Sequence, residues 1–237
     1  RAKVRELVRV GADFIKVFQT GFGRPLHKSK DNAYSREELD ALVSESHSHG
    51  RKVASHAVGG AGLRMSIEAG VDTIEHGSYL NQDPDLLNMM AGEGIFFVPT
   101  FTVFNFHRTQ GNPTAQEECR DFRQGHVESL QLALKAGVKV VAGTDAGGWG
   151  HGNNAEELEC LVAAGMTPMQ ALVAGTRWAS ECCGLEKDVG TVERGKFADL
   201  VLVDGDPLSD ITVLQDKNRI KLVMKEGTIY SNQLGDD

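Results

Sequence analysis

The chain has 237 residues, with 25 Lys and Arg against 33 Asp and Glu, which leaves a net charge of −8. This acidic balance argues against a nucleic acid as the main partner, because phosphate recognition requires clustered Lys and Arg. The apolar runs, such as residues 95–98, are far shorter than the ~20 residues of a membrane-spanning helix, so we expect no membrane partner. The four cysteines show neither CxxC spacing nor the density of a disulfide scaffold, which predicts reduced cysteines in a cytoplasmic protein.

Strands and helices alternate along most of the chain. Short apolar segments predict strands over residues 13–18, 52–56, 72–76, 95–100 and 139–144. Amphipathic segments predict helices from the start to about residue 10 and over residues 35–48, 62–69, 84–91, 115–136, 155–164 and 168–183. Ser35 and Glu38 form a capping box at the start of the second helix. Residues 21–34 predict a polar loop, and the Phe-rich residues 101–114 are expected to be irregular. This alternation predicts parallel strands joined by helical crossovers.

The number of predicted strands bears on the architecture. A closed (β/α) barrel has eight strands, and five are predicted here, so a barrel would lack about three strand–helix units on its N-terminal side. The chain begins at Arg1 rather than at a methionine, and we interpret it as the C-terminal part of a longer protein. Beyond about residue 189, two β-rich segments at 197–203 and 221–230 predict a separate small β element.

Four predicted strands end in residues that can bind a metal, namely Lys16, His56, His76 and Asp145. Because the carboxyl ends of parallel strands meet at one face, we expect these side chains to converge. Imidazoles and carboxylates are ligands for zinc, manganese or iron. A buried lysine is costly to keep charged, and a neutral lysine amine can take up carbon dioxide as a carbamate that bridges two metals. A single histidine at a strand end is usually structural, so the prediction of a metal site depends on all four residues occurring together.

Several segments together resemble the metal-dependent amidohydrolase superfamily, in its carbamylated-lysine branch of prolidase-like (Xaa-Pro dipeptidase-like) and carboxypeptidase-like enzymes. They read DFIKVF, KVASHAVGGAG, AGVDTIEHGSYL, VVAGTDAG, HGNNAEELECLVAAGMTPMQAL and GTVERGKFADLVLVDGDPL. The resemblance implies an α/β fold, with about strands four to eight of a partial (β/α)8 TIM-type barrel over residues 1–188. It also implies part of a flanking β-sandwich domain over residues 189–237.

The resemblance assigns roles to the four strand-end residues. Lys16 would carry the carbamate that bridges two divalent metals, zinc or alternatively manganese or iron. His56 and His76 would be the ligands from strands five and six. Asp145 would be both a metal ligand and the proton shuttle for a hydroxide that bridges the metals.

The family's first two ligands form an HxH at the end of strand one, which this chain does not include. An HxH does occur as residues 47–49, at the end of a predicted helix. Side chains two residues apart on a helix point about 200° away from each other, so His47 and His49 cannot bind one metal together. We expect both to face solvent.

Two further residues are candidates for substrate binding. Tyr79 follows His76 by three residues, so its phenol could reach a substrate carbonyl or a developing oxyanion, or else pack on a neighbouring helix. His151 follows Asp145 in the next loop and could contact a substrate carboxylate, or else open the next helix.

These features predict a metal-dependent hydrolase of amide or peptide bonds, acting as a dipeptidase or a carboxypeptidase. One alternative is a cyclic-amide hydrolase or deaminase, such as an imidazolonepropionase-like enzyme. Another is a non-catalytic fragment that assembles with an N-terminal partner. The expected partners are a small amide or dipeptide substrate, the missing N-terminal half of the barrel and further copies of the same chain.

Overall fold

The computed structural model describes residues 1–20, 32–147 and 151–235. It consists of two compact units, Arg1–Val140 and Val141–Asp237, and each is described by itself. Most of the predicted polar loop, residues 21–31, lies outside the described residues, as do residues 148–150. The predicted domain boundary at residue 188 stays a prediction.

The first unit alternates strands and helices. Its helices are α1 (Ala2–Arg9), α2 (Arg36–Ser48), α3 (Gly60–Glu68), α4 (Pro84–Glu93), α5 (Phe101–Gln110) and α6 (Pro113–Ala136). Its strands are β1 (Phe14–Phe18), β2 (Lys52–Ala57), β3 (Thr73–His76) and β4 (Phe96–Val98). The strands form one parallel sheet in the order β1-β2-β3-β4, which confirms the predicted α/β arrangement. The capping box of α2 is present, since the Ser35 side chain accepts from the Glu38 N–H and the Glu38 side chain accepts from the Ser35 N–H.

Two predictions for this unit are wrong. Residues 101–110 form a helix rather than an irregular segment, because Phe101 and Phe104 lie three residues apart and pack on the rings of α6. The predicted strand at residues 139–144 is reduced to one parallel bridge, between Phe97 and Val140. The neighbouring strand β4 is only three residues long, because Pro99 has no N–H to extend the ladder and Thr100 turns into the left-handed region.

The second unit contains three α-helices, a short 3₁₀ helix (Ile211–Gln215) and an antiparallel sheet among its described residues. The helices are α7 (Glu156–Ala163), α8 (Pro168–Gly175) and α9 (Arg177–Cys183), and the strands are β5 (Leu200–Val203), β6 (Ile220–Lys225) and β7 (Thr228–Asn232). The predicted helix over 168–183 is divided at Thr176, whose backbone is not helical. The predicted strand over 221–230 is a hairpin that turns at Glu226 and Gly227, both with positive φ. Within the described parts of both units, none of the helices meets the length and hydropathy needed to cross a bilayer.

Candidate metal centre

Two predicted ligands, His56 and His76, are in direct contact. His56 is the penultimate residue of β2, and His76 ends β3, where it pairs in register with Ala57. The Nδ1 atom of His56 lies 2.9 Å from the Nε2 atom of His76. The ring centroids are 4.1 Å apart, at an interplanar angle of 66°. The two rings therefore present nitrogen atoms to a common point.

Thr100 orients the ring of His76. The Thr100 hydroxyl donates to the carbonyl of Pro99 at 2.7 Å, and its oxygen lies 2.8 Å from His76 Nδ1. Because the hydroxyl proton is already used, Nδ1 of His76 must be the donor in this contact, which leaves Nε2 unprotonated. The lone pair of Nε2 therefore points towards His56. The sequence analysis did not assign a role to Thr100, although its place at the end of the strand predicted over residues 95–100 was a usable signal.

The backbone around this contact is strained. His76 and Thr100 have φ values of 74° and 57°, in a region that residues other than glycine rarely adopt. Gly77 follows with a φ of 49°, and a Cβ atom there would lie 2.7 Å from Cε2 of Phe97. Such strain concentrates at functional sites, where the surrounding structure holds it in place.

Both imidazoles are neutral at neutral pH. Burial, and secondarily the charge of Lys16, lowers the pKa of His56 to about 4. The pKa of His76 lies well below its ordinary value, first because of burial and then because of repulsion from His56 in its protonated form and from Lys16. The neutral form is the one that binds a metal.

The histidine pair fits a divalent metal. Tetrahedral zinc with Zn–N bonds of ~2.0–2.1 Å separates its nitrogen ligands by about 3.3–3.4 Å, so the 2.9 Å contact needs to open by only about 0.5 Å. A metal-binding histidine whose other nitrogen is held by a neighbouring group is also the usual arrangement. Among the residues that the structure describes, however, no three His, Cys, Asp or Glu side chains form a ligand cluster. The pair alone does not complete a metal site, and a site here would need further ligands.

Lys16 is exposed, and the expectation that it is buried is wrong. Successive side chains of β1 point to opposite faces of the sheet. Ile15 and Val17 are buried in the core, while Phe14, Lys16 and Phe18 share the opposite face. On that face the two phenylalanines are 55% and 47% exposed. The positive charge of Lys16 nevertheless acts on both histidines. Its carbamylation stays a prediction.

Asp145 and His151 belong to the second unit and are exposed there. Asp145 has a positive φ of 53°, the third strained position among the predicted site residues and their neighbours. The Nε2 atom of His151 lies 3.2 Å from the carbonyl oxygen of Gly147. The roles of both residues stay predictions.

Tyr79 lies in the loop after His76. Its N–H donates to the carbonyl of Val58 at 3.0 Å, and its ring is 6.3 Å from that of Phe122. Burial, followed by the charge of Glu118, raises the pKa of the phenol, which therefore stays protonated and able to donate. A role in substrate binding stays a prediction.

The two histidines of the HxH are separate, as predicted. His47 and His49 are 43% and 39% exposed. The Nε2 atom of His47 lies 2.9 Å from Asp72, and that of His49 lies 3.3 Å from Glu45. Each ring therefore contacts a different carboxylate.

The model of the amidohydrolase family matches residues 1–230, and the chain belongs to this family. Ochratoxinase of Aspergillus niger is 32% identical over 237 residues, which cover 97% of this chain and 48% of that protein. A crystal structure of a Xaa-Pro dipeptidase with methionine bound in its active site has a TM-score of 0.87 at 32% identity, covering 98% of this chain and 57% of that one. Imidazolonepropionase of Shouchella clausii is 28% identical over 210 residues, covering 84% of this chain and 42% of that protein.

The chain thus spans about half the length of these relatives. These relatives are named as enzymes. They also agree with the predicted fold class, a part of an α/β barrel followed by an antiparallel sheet.

Proposed function

We propose that this chain is the metal-binding C-terminal part of a hydrolase that cleaves amide or peptide bonds of small substrates, as a dipeptidase or carboxypeptidase. The observation that carries this proposal is the contact between neutral His56 and His76, with the ring of His76 oriented by Thr100. The similarity to a Xaa-Pro dipeptidase and to ochratoxinase supports the same class of reaction.

The donor set suits divalent metals such as zinc, manganese or iron. His56 Nδ1 and His76 Nε2 would hold the metal, with Lys16 as a carbamate and Asp145 as the proposed further ligands. When bound, the metal lowers the pKa of a coordinated water towards ~7 and polarises a carbonyl.

The remaining steps belong to the chain's own residues. Asp145 takes a proton from the attacking water as general base and delivers it to the leaving amine as general acid, which is the role that the family resemblance assigns to it. The Tyr79 phenol donates a hydrogen bond to the substrate carbonyl oxygen, since its raised pKa keeps it protonated. His151 contacts a substrate carboxylate.

The test compares variants of the full-length protein for metal content and for hydrolysis of a dipeptide panel. Asp145→Asn should lose about 10²- to 10⁴-fold in rate. Lys16→Ala should lose both metal and rate, with partial rescue by acetate or propionate. His47→Ala and His49→Ala are the controls and should retain both. Full activity of Asp145→Asn, or metal loss in the two controls, would place the site elsewhere.

A cyclic-amide hydrolase is the second candidate, favoured by the similarity to imidazolonepropionase. The same panel should therefore include cyclic amides. About two metals per protein together with dipeptide cleavage support the first candidate, and one metal with cyclic-amide cleavage supports the second. An isolated chain that binds no metal would fit the third reading, a non-catalytic fragment that assembles with an N-terminal partner.

We also propose that the N-terminal half of a barrel covers the exposed face of β1, where Phe14 and Phe18 lie beside Lys16. An uncovered apolar face of this kind favours association. The isolated chain should therefore associate with that half or with itself, which sedimentation would show. A stable folded monomer of the chain alone would contradict this.

The cytoplasm is the proposed location of the protein.

A further inference from the structure

Two phenylalanine rings flank the histidine pair of the metal centre. The centroid of the Phe18 ring lies 4.8 Å from that of His56. On the other side, the Phe104 ring meets the ring of His76 edge-on, at a centroid distance of 5.7 Å and an angle of 80°. Both distances are typical of aromatic rings in contact. A substrate bound at the two histidines would therefore have an apolar ring on either side.

Helix α5 places Phe104 beside His76. The helix begins directly after Thr100, and side chains four residues apart share one face of a helix. Thr100 and Phe104 are spaced in this way, and both contact His76, the first through its hydroxyl at 2.8 Å and the second through its ring. Arg108 lies one turn further along the same face. This face of α5 therefore runs from the histidine pair into the interior between α5 and α6.

A small cavity lies between α5 and α6. Its walls include the rings of Phe101, Phe104, Phe122 and His126, and within the described part of the chain its lining does not include His76. Its volume of about 10 Å³ is room for about one water molecule. Because Phe104 both lines the cavity and contacts His76, its ring separates the cavity from the metal centre.

The lining of the cavity is both aromatic and polar. Phe101 and Phe122 stack on the ring of His126, which is 1% exposed. Two lining residues contribute buried atoms without a hydrogen-bond partner among the described residues, Nε of Arg108 and Nε2 of His126. Buried polar atoms normally have a partner. A group that entered past Phe104 would meet aromatic walls and unused polar atoms, which suits the side chain of phenylalanine or tyrosine.

We propose that Phe104 is a specificity-determining residue, whose ring restricts the substrate side chain beside His76 to a small one and closes the cavity as a second pocket. Without this ring, the pocket admits an aromatic side chain. The inference rests on the proposed function, since it takes the substrate to bind at the two histidines. It gives Phe104 a contact with the substrate and no part in the chemistry.

Three substitutions separate this role from general loosening of the core. Phe104→Ala removes the separating ring, and Phe104→Leu shortens it while keeping an apolar side chain. Phe122→Ala is the matched control, because it makes the same chemical change in the wall of the same cavity. The described ring contacts of Phe122 are with Tyr79, Phe104 and His126, so Phe104 still covers His76 in this variant.

The first measurement uses the full-length protein and dipeptides that differ only in carrying alanine, phenylalanine or tyrosine, at either position. The quantity compared is the ratio of kcat/KM for the aromatic peptide to kcat/KM for the alanine peptide. Phe104→Ala should raise this ratio by about tenfold or more, since even one methylene in an apolar pocket changes selectivity by about 10- to 200-fold. Phe104→Leu should raise it less, and Phe122→Ala should leave it within about threefold of the parent.

The second measurement uses benzene, which has the size of the removed ring and binds in apolar cavities of other proteins. In the metal-free full-length protein, benzene should shift the ring resonances of His76 in Phe104→Ala. It should leave them unchanged in the parent and in Phe122→Ala, where the Phe104 ring still lies between the cavity and His76.

An unchanged ratio in both Phe104 variants would overturn the proposal, and so would an equal rise in Phe122→Ala. If Phe104→Ala does not fold, both measurements are made on Phe104→Leu, and the same outcomes decide. If the parent and all variants cleave none of the dipeptides, the proposed function fails, whereas the benzene measurement still tests Phe104. His76 resonances that do not respond to benzene in the Phe104 variant would refute its separating role.

Discussion

Replacing Thr100 by valine tests how the metal centre is held. Valine has the same shape as threonine and the same branching at Cβ, so the strain of the left-handed backbone is retained while the hydroxyl is lost. The hydroxyl makes two contacts, one with the Pro99 carbonyl and one with Nδ1 of His76. Thr100 is 2% exposed and His76 is 4% exposed, so water cannot replace the missing group.

The structure sets the expected size of the effect. Nδ1–H of His76 would be a buried donor without an acceptor, which costs about 1–3 kcal/mol of unfolding free energy. Loss of the orienting contact should also lower metal affinity by about 10- to 100-fold. The second effect follows because the ring can then adopt the tautomer with a protonated Nε2.

Denaturant unfolding of the metal-free protein and zinc competition measure the two effects of Thr100→Val. Thr100→Ser keeps the hydroxyl and should retain zinc affinity. Thr109→Val makes the same chemical change on the exposed side of α5, where the hydroxyl bonds only to its own helix, and should change little. If Thr100→Val matches the parent in both stability and zinc affinity, the hydroxyl does not orient His76.

Three further predictions concern the first unit. The pKa values of His56 and His126 are lowered to about 4 and 3, so the metal-free folded state binds fewer protons than the unfolded state below pH ~6.5. Between pH 6.5 and pH 3, stability should therefore fall by roughly 3 kcal/mol on account of His56 and by roughly 4 kcal/mol on account of His126. Denaturant midpoints that do not change over this range would refute the assignment. Glu45→Gln should weaken the attachment of α1 to α2, because the buried Glu45 carboxylate accepts hydrogen bonds from Arg1 and Arg5. Amide hydrogen exchange in α1 should then accelerate, while that in α6 stays slow. Gly77→Ala should destabilise the unit and weaken zinc binding, since the added methyl meets Phe97 and the backbone has a positive φ; an unchanged melting temperature would contradict this.

Part of the candidate site could be predicted from local sequence alone. His56 and His76 were found because each lies at the end of a short strand, and parallel strands bring their carboxyl ends to one face. The start of α2 was likewise encoded locally by Ser35 and Glu38, whose reciprocal hydrogen bonds depend only on residues three apart.

Lys16 shows where local pattern stops being sufficient. The alternation of β1 correctly separates two faces, but a pattern of period two does not say which face a given chain covers. In this structure the face of Lys16 is open, and Phe14 and Phe18 are exposed beside it. The burial of a strand face is decided by the elements that pack against it.

The sequence by itself determined the alternation of strands and helices and the identity of the two histidines that meet. Only the tertiary structure decided how they are held. Thr100 reaches His76 because Pro99 ends the β4 ladder and the chain then turns into the left-handed region. The ring of His126, 50 positions after His76 in the sequence, packs against Phe104, whose ring also contacts that of His76. Contacts of this kind join residues far apart in the chain, and no local periodicity encodes them.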